Sequence, residues 1–302
     1  MSTSRPEAIL RRVEWTVIRR LDGLLQGDYR TLFRGHGLDL ADIREYEPGD
    51  DVRYIDWNVS ARMDTPYVRQ YLEDREITAH FLLDLSPSVD FGTTETLKRD
   101  QLVDFVAVLA RLLTRHGNKI GAILYAGKVE KTVPAGSGKL QVLRLLNDVL
   151  TVPRLQSAPY TSVSDLIEHA LRTIKRRSVV FLVSDFFTAP GWERPLGMLS
   201  RRHEVVAVRL EDPRERELPD IGLVPLNDAE TGESIYVDTH DARFRKRFQA
   251  VVQKREAELT AAFRRAGVDV LSLSTEDDLV NAILRFAALR KQRRAMRAAL
   301  AV

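Results

Sequence analysis

The sequence predicts an α/β protein built on a doubly wound, mostly parallel sheet of about six strands. Three observations lead there. Short apolar runs recur along the chain, at 79–83 (AHFLL) and, rich in β-branched residues, at 178–184 (SVVFLVS) and 204–210 (EVVAVRL). They are nearly continuous rather than alternating, the pattern of strands covered on both faces. Segments with apolar residues at helical spacing separate them, and strands alternating with helices imply parallel pairing.

Taken in order, residues 7–26 place Ile9, Leu10, Val13, Val17, Leu21 and Leu24 at helical spacing with arginines between them, and Gly27 follows as a stop. From 27 to 76 the pattern breaks into short charged segments punctuated by Gly35, Gly37, Pro48, Gly49 and Pro66, which predicts a small β-rich subdomain. The strand at 79–83 ends at Asp84, a buried helix is expected over 95–115, and strands over 119–125 and 129–133. Helices over 140–150 and 163–174 precede the strand at 178–184, and the strand at 204–210 leads into 211–239, whose prolines, glycines and SIYVDT alternation predict an inserted hairpin. A long helix (241–266), a strand (268–272) and a last helix from about 276, capped by Ser274 or Thr275, complete the pattern. The implied organisation is 1–76 as N-terminal helix and β-rich subdomain, 77–290 as the α/β domain, and 291–302 as a basic tail.

Composition narrows the chemistry. With 302 residues and 44% apolar content the chain is able to bury a core. No apolar run approaches the about 20 residues that cross a bilayer, and the first residues lack a secretory h-region, so a cytoplasmic protein without a membrane span is expected. The absence of cysteine removes disulfides, thiolate metal sites and cysteine nucleophiles together. A net charge of +3, spread over many charges of both signs, argues only weakly for nucleic acid. GSGKL at 136–140 fails as a phosphate-binding loop, because Val133 and Leu140 stand where a glycine and a Ser or Thr are needed. The six histidines show no zinc-hydrolase spacing, and a G-x-S-x-G nucleophile elbow is absent.

One constellation survives. Asp84, Ser86 and Ser88 form D-x-S-x-S directly after a buried strand, where the loops of an open α/β sheet converge on a ligand crevice. Two further oxygen donors fall where the same crevice would receive them: Thr161 at the start of the helix before the 178–184 strand, and Asp185 just after it. Oxygen-only donors suit Mg²⁺ or Mn²⁺. Two carboxylates and three hydroxyls around such an ion give a nearly neutral site that accepts one more anionic ligand. The same residues also serve as ordinary turn and helix caps, Asp84 and Asp185 included.

The segment 33–76, with R-E-Y-x-P-G-D-D-x-R-x-I-D-W-x-x-S-A-R at 44–62, followed by FLLDLSPSVDFG, closely resembles the bacterial family called domain of unknown function 58. The resemblance covers about residues 25–290. It implies a von Willebrand factor type A fold and a metal-ion-dependent adhesion site, carried here by Asp84, Ser86, Ser88, Thr161 and Asp185. Ser164 is a competing choice for the second loop, because YTSVSDL lacks a Gly-Thr-Asp run; helix length favours Thr161. The family also implies a MoxR-type AAA+ ATPase as partner. Together these lead to the expectation of a non-enzymatic interaction module that binds Mg²⁺ (or Mn²⁺) and docks a carboxylate of an ATPase or client protein in the maturation or remodelling of protein complexes. The alternative is a metal-dependent phosphoesterase using Asp84 and Asp185. Within 44–62, Asp50, Asp51 and Asp56 beside Arg44, Arg53 and Arg62 predict an ion-paired network anchored by Trp57, or else a partner-facing surface.

Overall fold

The computed structural model describes residues 4–21, 43–47, 50, 52, 55–69, 77–155, 161–228 and 231–299. The chain divides into two compact units, one made of 1–33 with 77–302 and the other of 34–76.

Helix α1 (Arg5–Val13) opens with Pro6 in its first turn, and the Ser4 amide donates to the Glu7 carboxylate at 3.1 Å. A wide π-helical turn over Glu14–Ile18 follows. That turn absorbs one extra residue, so the buried face runs Leu10, Val13, Ile18 and Leu21, and Val17, expected on that face, is only partly covered. Gly27 and Leu24 lie outside the described residues. The helix packs on the helix Lys98–Arg115 of its own unit, tied by Arg12 to Asp104 and Glu14 to Arg111. The expected grouping of this helix with 27–76 is therefore corrected: its apolar stripe needs a helical surface to bury against, and 34–76 forms a unit by itself.

In that smaller unit β1 (Ile43–Glu45) pairs antiparallel with β2 (Tyr67–Arg69), and the short helix α2 (Trp57–Met63) lies between them in sequence. Asp56 caps α2 through the Val59 amide at 3.2 Å, and Arg44 meets Asp50 at 2.7 Å. Trp57, expected as an apolar anchor, is exposed, because it begins a helix whose polar cap, rather than its ring, is what the fold buries. Asp51 and Arg53 lie outside the described residues.

The central sheet has six strands: β3 (Thr78–Asp84), β4 (Lys119–Tyr125), β5 (Val129–Gly136), β6 (Val179–Ser184), β7 (Glu204–Glu211) and, after the hairpin β8 (Leu223–Asn227) and β9 (Ser234–Asp238), β10 (Asp269–Ser274). Their order is β10-β7-β6-β3-β4-β5, parallel except for the edge strand β5. The fold is thus α/β with a mostly parallel central sheet. From β3 the chain winds outward to β4 and β5, then returns to β6 on the other side and winds outward again to β7 and β10. Strand order reverses between β3 and β6, which leaves a crevice at their carboxyl ends.

Alternate residues of the strands feed two cores. Phe81, Leu83, Phe181, Val183, Val206 and Val208 face the helices Lys98–Arg115 and Gly138–Thr151, while Leu82, Val180, Leu182, Val205 and Ala207 face Val163–Thr173, Glu193–Arg202 and Ala242–Ala266. Phe81 and Phe181 stack at 5.3 Å across adjacent strands. The 95–115 helix begins at Lys98, because residues 92–97 form a loop. The last helix starts at Leu279, capped by Asp278 through the Val280 amide at 2.8 Å; Thr275, a predicted cap, instead donates its hydroxyl to Asp212 at 2.8 Å. Among the described residues no helix is long and apolar enough to cross a membrane.

The lower end of the sheet carries an acid-sensitive pair. Burial, helped by His203, pushes the His80 imidazole down to about 4, and among the described residues both ring nitrogens of buried His203 lack hydrogen-bond partners. A depressed imidazole binds its proton less readily in the folded chain than in the unfolded one. Stability from His80 is therefore complete above the unfolded value of 6.5 and falls as pH drops toward 4. At pH 4.5 this loss amounts to roughly 2 to 3 kcal/mol. Urea unfolding of wild type and His80→Leu at pH 7.5 and 4.5 measures it: the wild type should lose that amount more than the variant.

Candidate metal centre

The loops at the carboxyl ends of β3, β4 and β6 meet the amino end of the helix Val163–Thr173 at the crevice, and main-chain register brings them there. Asp84 pairs with Tyr125 across β3 and β4, and Leu83 pairs with Val183, which puts Asp84 beside Ser184. The Leu85 amide donates to the Tyr125 carbonyl at 2.7 Å, and the Tyr125 hydroxyl accepts the Ser162 amide at 2.9 Å. Thr188 and Ala189, from the loop after β6, donate to the Thr161 carbonyl at 2.9 and 3.0 Å. These ties hold Thr161 against the Asp185 loop, and Ser162 caps the helix behind it by accepting the Asp165 amide.

All five sequence-predicted residues, Asp84, Ser86, Ser88, Thr161 and Asp185, are buried at this end of the sheet. One Asp84 oxygen accepts the Ser86 amide at 3.1 Å and the other accepts the Ser184 hydroxyl at 2.6 Å. The Ser86 and Ser88 hydroxyls lie 3.2 Å apart. Asp185 accepts the Phe187 amide at 3.0 Å, in a turn that forces Phe186 to a φ of 58°. That left-handed conformation is costly for a side chain with a ring, and Phe186 is held there by packing on Trp192 and Phe263 at 5.3 and 4.9 Å. Ser164 lies inside the first helical turn, past the cap.

Three residues that sequence reasoning missed shape the charge of the site. Buried Lys98 bridges Asp185 at 2.7 Å and Glu215 at 2.6 Å. Burial opposes its charge, yet Asp185 and Glu215 outweigh that and hold the amine above its ordinary value. Ser184 is the third, as donor to Asp84. Asp84 itself has full burial and, among the described residues, no cationic partner. Burial first and the charge of Asp185 second raise its carboxyl above the usual range. Asp212, just beyond β7, accepts from the Thr93 amide and hydroxyl, the Arg214 amide and the Thr275 hydroxyl, and so fastens the outer loops around the crevice.

The donor set fits a hard divalent cation. Two buried carboxylates, one of them uncompensated, and clustered hydroxyls offer oxygen alone. Among the described residues no three His, Cys, Asp or Glu side chains converge, so a metal here rests on the two aspartates and the hydroxyls.

The molecule is thus an α/β protein with an oxygen-lined crevice at the switch point of a mostly parallel sheet. The chain belongs to the protein family of unknown function DUF58, whose model matches residues 42–258. It is 37% identical over 285 residues to the uncharacterized proteins Mb1516 of Mycobacterium bovis and Rv1480 of Mycobacterium tuberculosis, covering 94% of this chain and 90% of each relative. Among solved structures it is similar to BatB from Bacteroides thetaiotaomicron, at 12% identity and a TM-score of 0.44 over 72% of this chain and 99% of the other. An aerotolerance-related membrane protein from Bacteroides fragilis gives 13% identity and a TM-score of 0.45 over the same shares.

Proposed function

We propose that this chain is a non-enzymatic interaction module of von Willebrand A type, in which Asp84, Ser86, Ser88, Thr161 and Asp185 hold Mg²⁺ (or Mn²⁺) as a metal-ion-dependent adhesion site. The observation that carries this is Asp84: a wholly buried carboxylate facing a second one, without a cation of its own among the described residues. Such a charge is expensive to leave uncompensated. Thr161 is preferred to Ser164 because its burial and its ties to the Asp185 loop put it at the crevice. The ion would supply an open coordination position for a carboxylate of a partner protein. In the cytoplasm that partner is a MoxR-type AAA+ ATPase or a client protein, in maturation or remodelling of complexes; this part is drawn from the family resemblance.

Differential scanning calorimetry with Mg²⁺, Mn²⁺ or EDTA tests the metal. Free cation at a hundred times its Kd should add about 2.7 kcal/mol to the folded state. A transition indifferent to both cations overturns the reading. Mg²⁺-dependent hydrolysis of p-nitrophenyl phosphate, lost in Asp84→Asn, would instead establish a phosphoesterase.

A further inference from the structure

The rim of the same crevice carries an arginine that the metal cage does not use. Arg255, on the helix Ala242–Ala266, lies with its guanidinium carbon 3.3 Å from the centroid of the Phe187 ring and donates to the Phe186 carbonyl at 3.0 Å. Asp185, Phe187, Glu215 and Arg255 line one small cavity. Neighbouring cations there are matched to carboxylates: Lys98 to Asp185 and Glu215, Arg209 to Glu211 and Glu256, Arg216 to the same two glutamates. Among the described residues Arg255 has no carboxylate at ion-pair distance. Its plane is fixed by stacking and by one hydrogen bond, and among the described residues the remaining donors meet no protein acceptor. The Lys98 ammonium is 5.4 Å from the Phe187 ring and 5.6 Å from the Phe91 ring, and both phenyls are more than a third exposed.

A flat guanidinium with spare donors, preorganised on an aromatic face, suits a carboxylate because two parallel hydrogen bonds match its geometry. The Phe187 ring beneath it, and Phe91 near the same Lys98 ammonium, are each more than a third exposed and suit apolar atoms close to that carboxylate. We propose that Arg255 is the specificity-determining contact for the protein partner: it takes an aspartate or glutamate side chain flanked by apolar residues that cover Phe91 and Phe187. This rests on the metal-site reading only for the carboxylate's other contact. Arg255 also steadies the left-handed Phe186 peptide, so the test needs a readout that a purely structural role would not move.

Acetate serves as the minimal carboxylate probe, with acetamide as its neutral counterpart, followed by ¹⁵N correlation spectra of the full chain saturated with Mg²⁺. Acetate should shift the Arg255 Nε–H signal and the Phe187 amide saturably, and acetamide should not. Arg255→Gln, able to keep the bond to the Phe186 carbonyl, should weaken acetate binding about tenfold. Its Ser86 and Ser88 amides should still respond to Mg²⁺, and its dispersed spectrum reports that it folds. Arg255→Lys, which keeps charge without the planar fork, should fall between the two. Acetate binding to Arg255→Gln as tight as to wild type, or a wild-type Arg255 signal that acetate leaves unmoved, overturns the proposal. Ser86 and Ser88 amides indifferent to Mg²⁺, with the Arg255 signal still responding to acetate, overturn the metal reading instead and leave Arg255 standing.

Discussion

Replacing Lys98 by methionine should cost about 3 to 5 kcal/mol of folding stability in metal-free buffer, the cost of breaking a buried ion pair from one side. Methionine fills much of the aliphatic volume but leaves Asp185 and Glu215, both within 2.7 Å of the lost ammonium, facing one another without it. The loss reads out as a lower urea midpoint at unchanged slope. Divalent cation should then restore more stability to Lys98→Met than it adds to the wild type, since the ammonium competes with the metal for Asp185. Glu215→Gln removes the more exposed partner, keeps Lys98 on Asp185, and should cost about 1 kcal/mol. A Lys98→Met midpoint equal to wild type would mean that this pair contributes nothing net.

Asp84→Asn should behave in the opposite way without metal and lose the response to it. The amide is nearly isosteric, accepts the Ser86 amide and donates to Ser184, and it removes the buried charge that has no cation. The metal-free variant should therefore be at least as stable as wild type at pH 7.5, while the about 2.7 kcal/mol added by saturating Mg²⁺ disappears. The pH dependence follows from the raised Asp84 carboxyl. A carboxyl raised on folding holds its proton more tightly in the native state, so its favourable contribution is present at low pH and is lost as pH rises above the ordinary carboxylate range. Over that rise wild type without metal should lose stability relative to Asp84→Asn, since both share the opposite gain from His80. Calorimetric scans across pH with EDTA compare them, and parallel curves for the two would assign the effect elsewhere.

Much of the candidate site was legible because its parts are local. D-x-S-x-S is five consecutive residues at the end of an apolar run, and any buried strand ending in a carboxylate and two hydroxyls delivers all three to one loop. Asp185 was legible for the same reason, as the residue following SVVFLVS. Lys98, Glu215 and Arg255 were not. Lys98 is separated by 87 residues from Asp185 and by 117 from Glu215, and in sequence it is one charge among many at the start of a helix. Arg255 is one of several basic residues along a long helix, and that it meets no carboxylate among the described residues is visible only in three dimensions.

Local detail departed from expectation where two local solutions were close in energy. The α1 face shifted from Val17 to Ile18 because a π turn lets Leu10, Val13, Ile18 and Leu21 bury together, which no fixed 3.6-residue period anticipates. Asp278 took the cap expected of Ser274 or Thr275, since Thr275 was drawn to Asp212 from another strand end.

By itself the sequence determined the α/β class, the mostly parallel sheet and the loop that carries Asp84, Ser86 and Ser88, because periodicity, burial of continuous apolar strands and strand-end chemistry are properties of contiguous residues. Only the tertiary structure decided strand order, the switch point between β3 and β6, and the charge balance of the crevice. Those depend on which distant side chains share a low-dielectric space, where one ammonium more or fewer sets the sign of the field that a ligand meets.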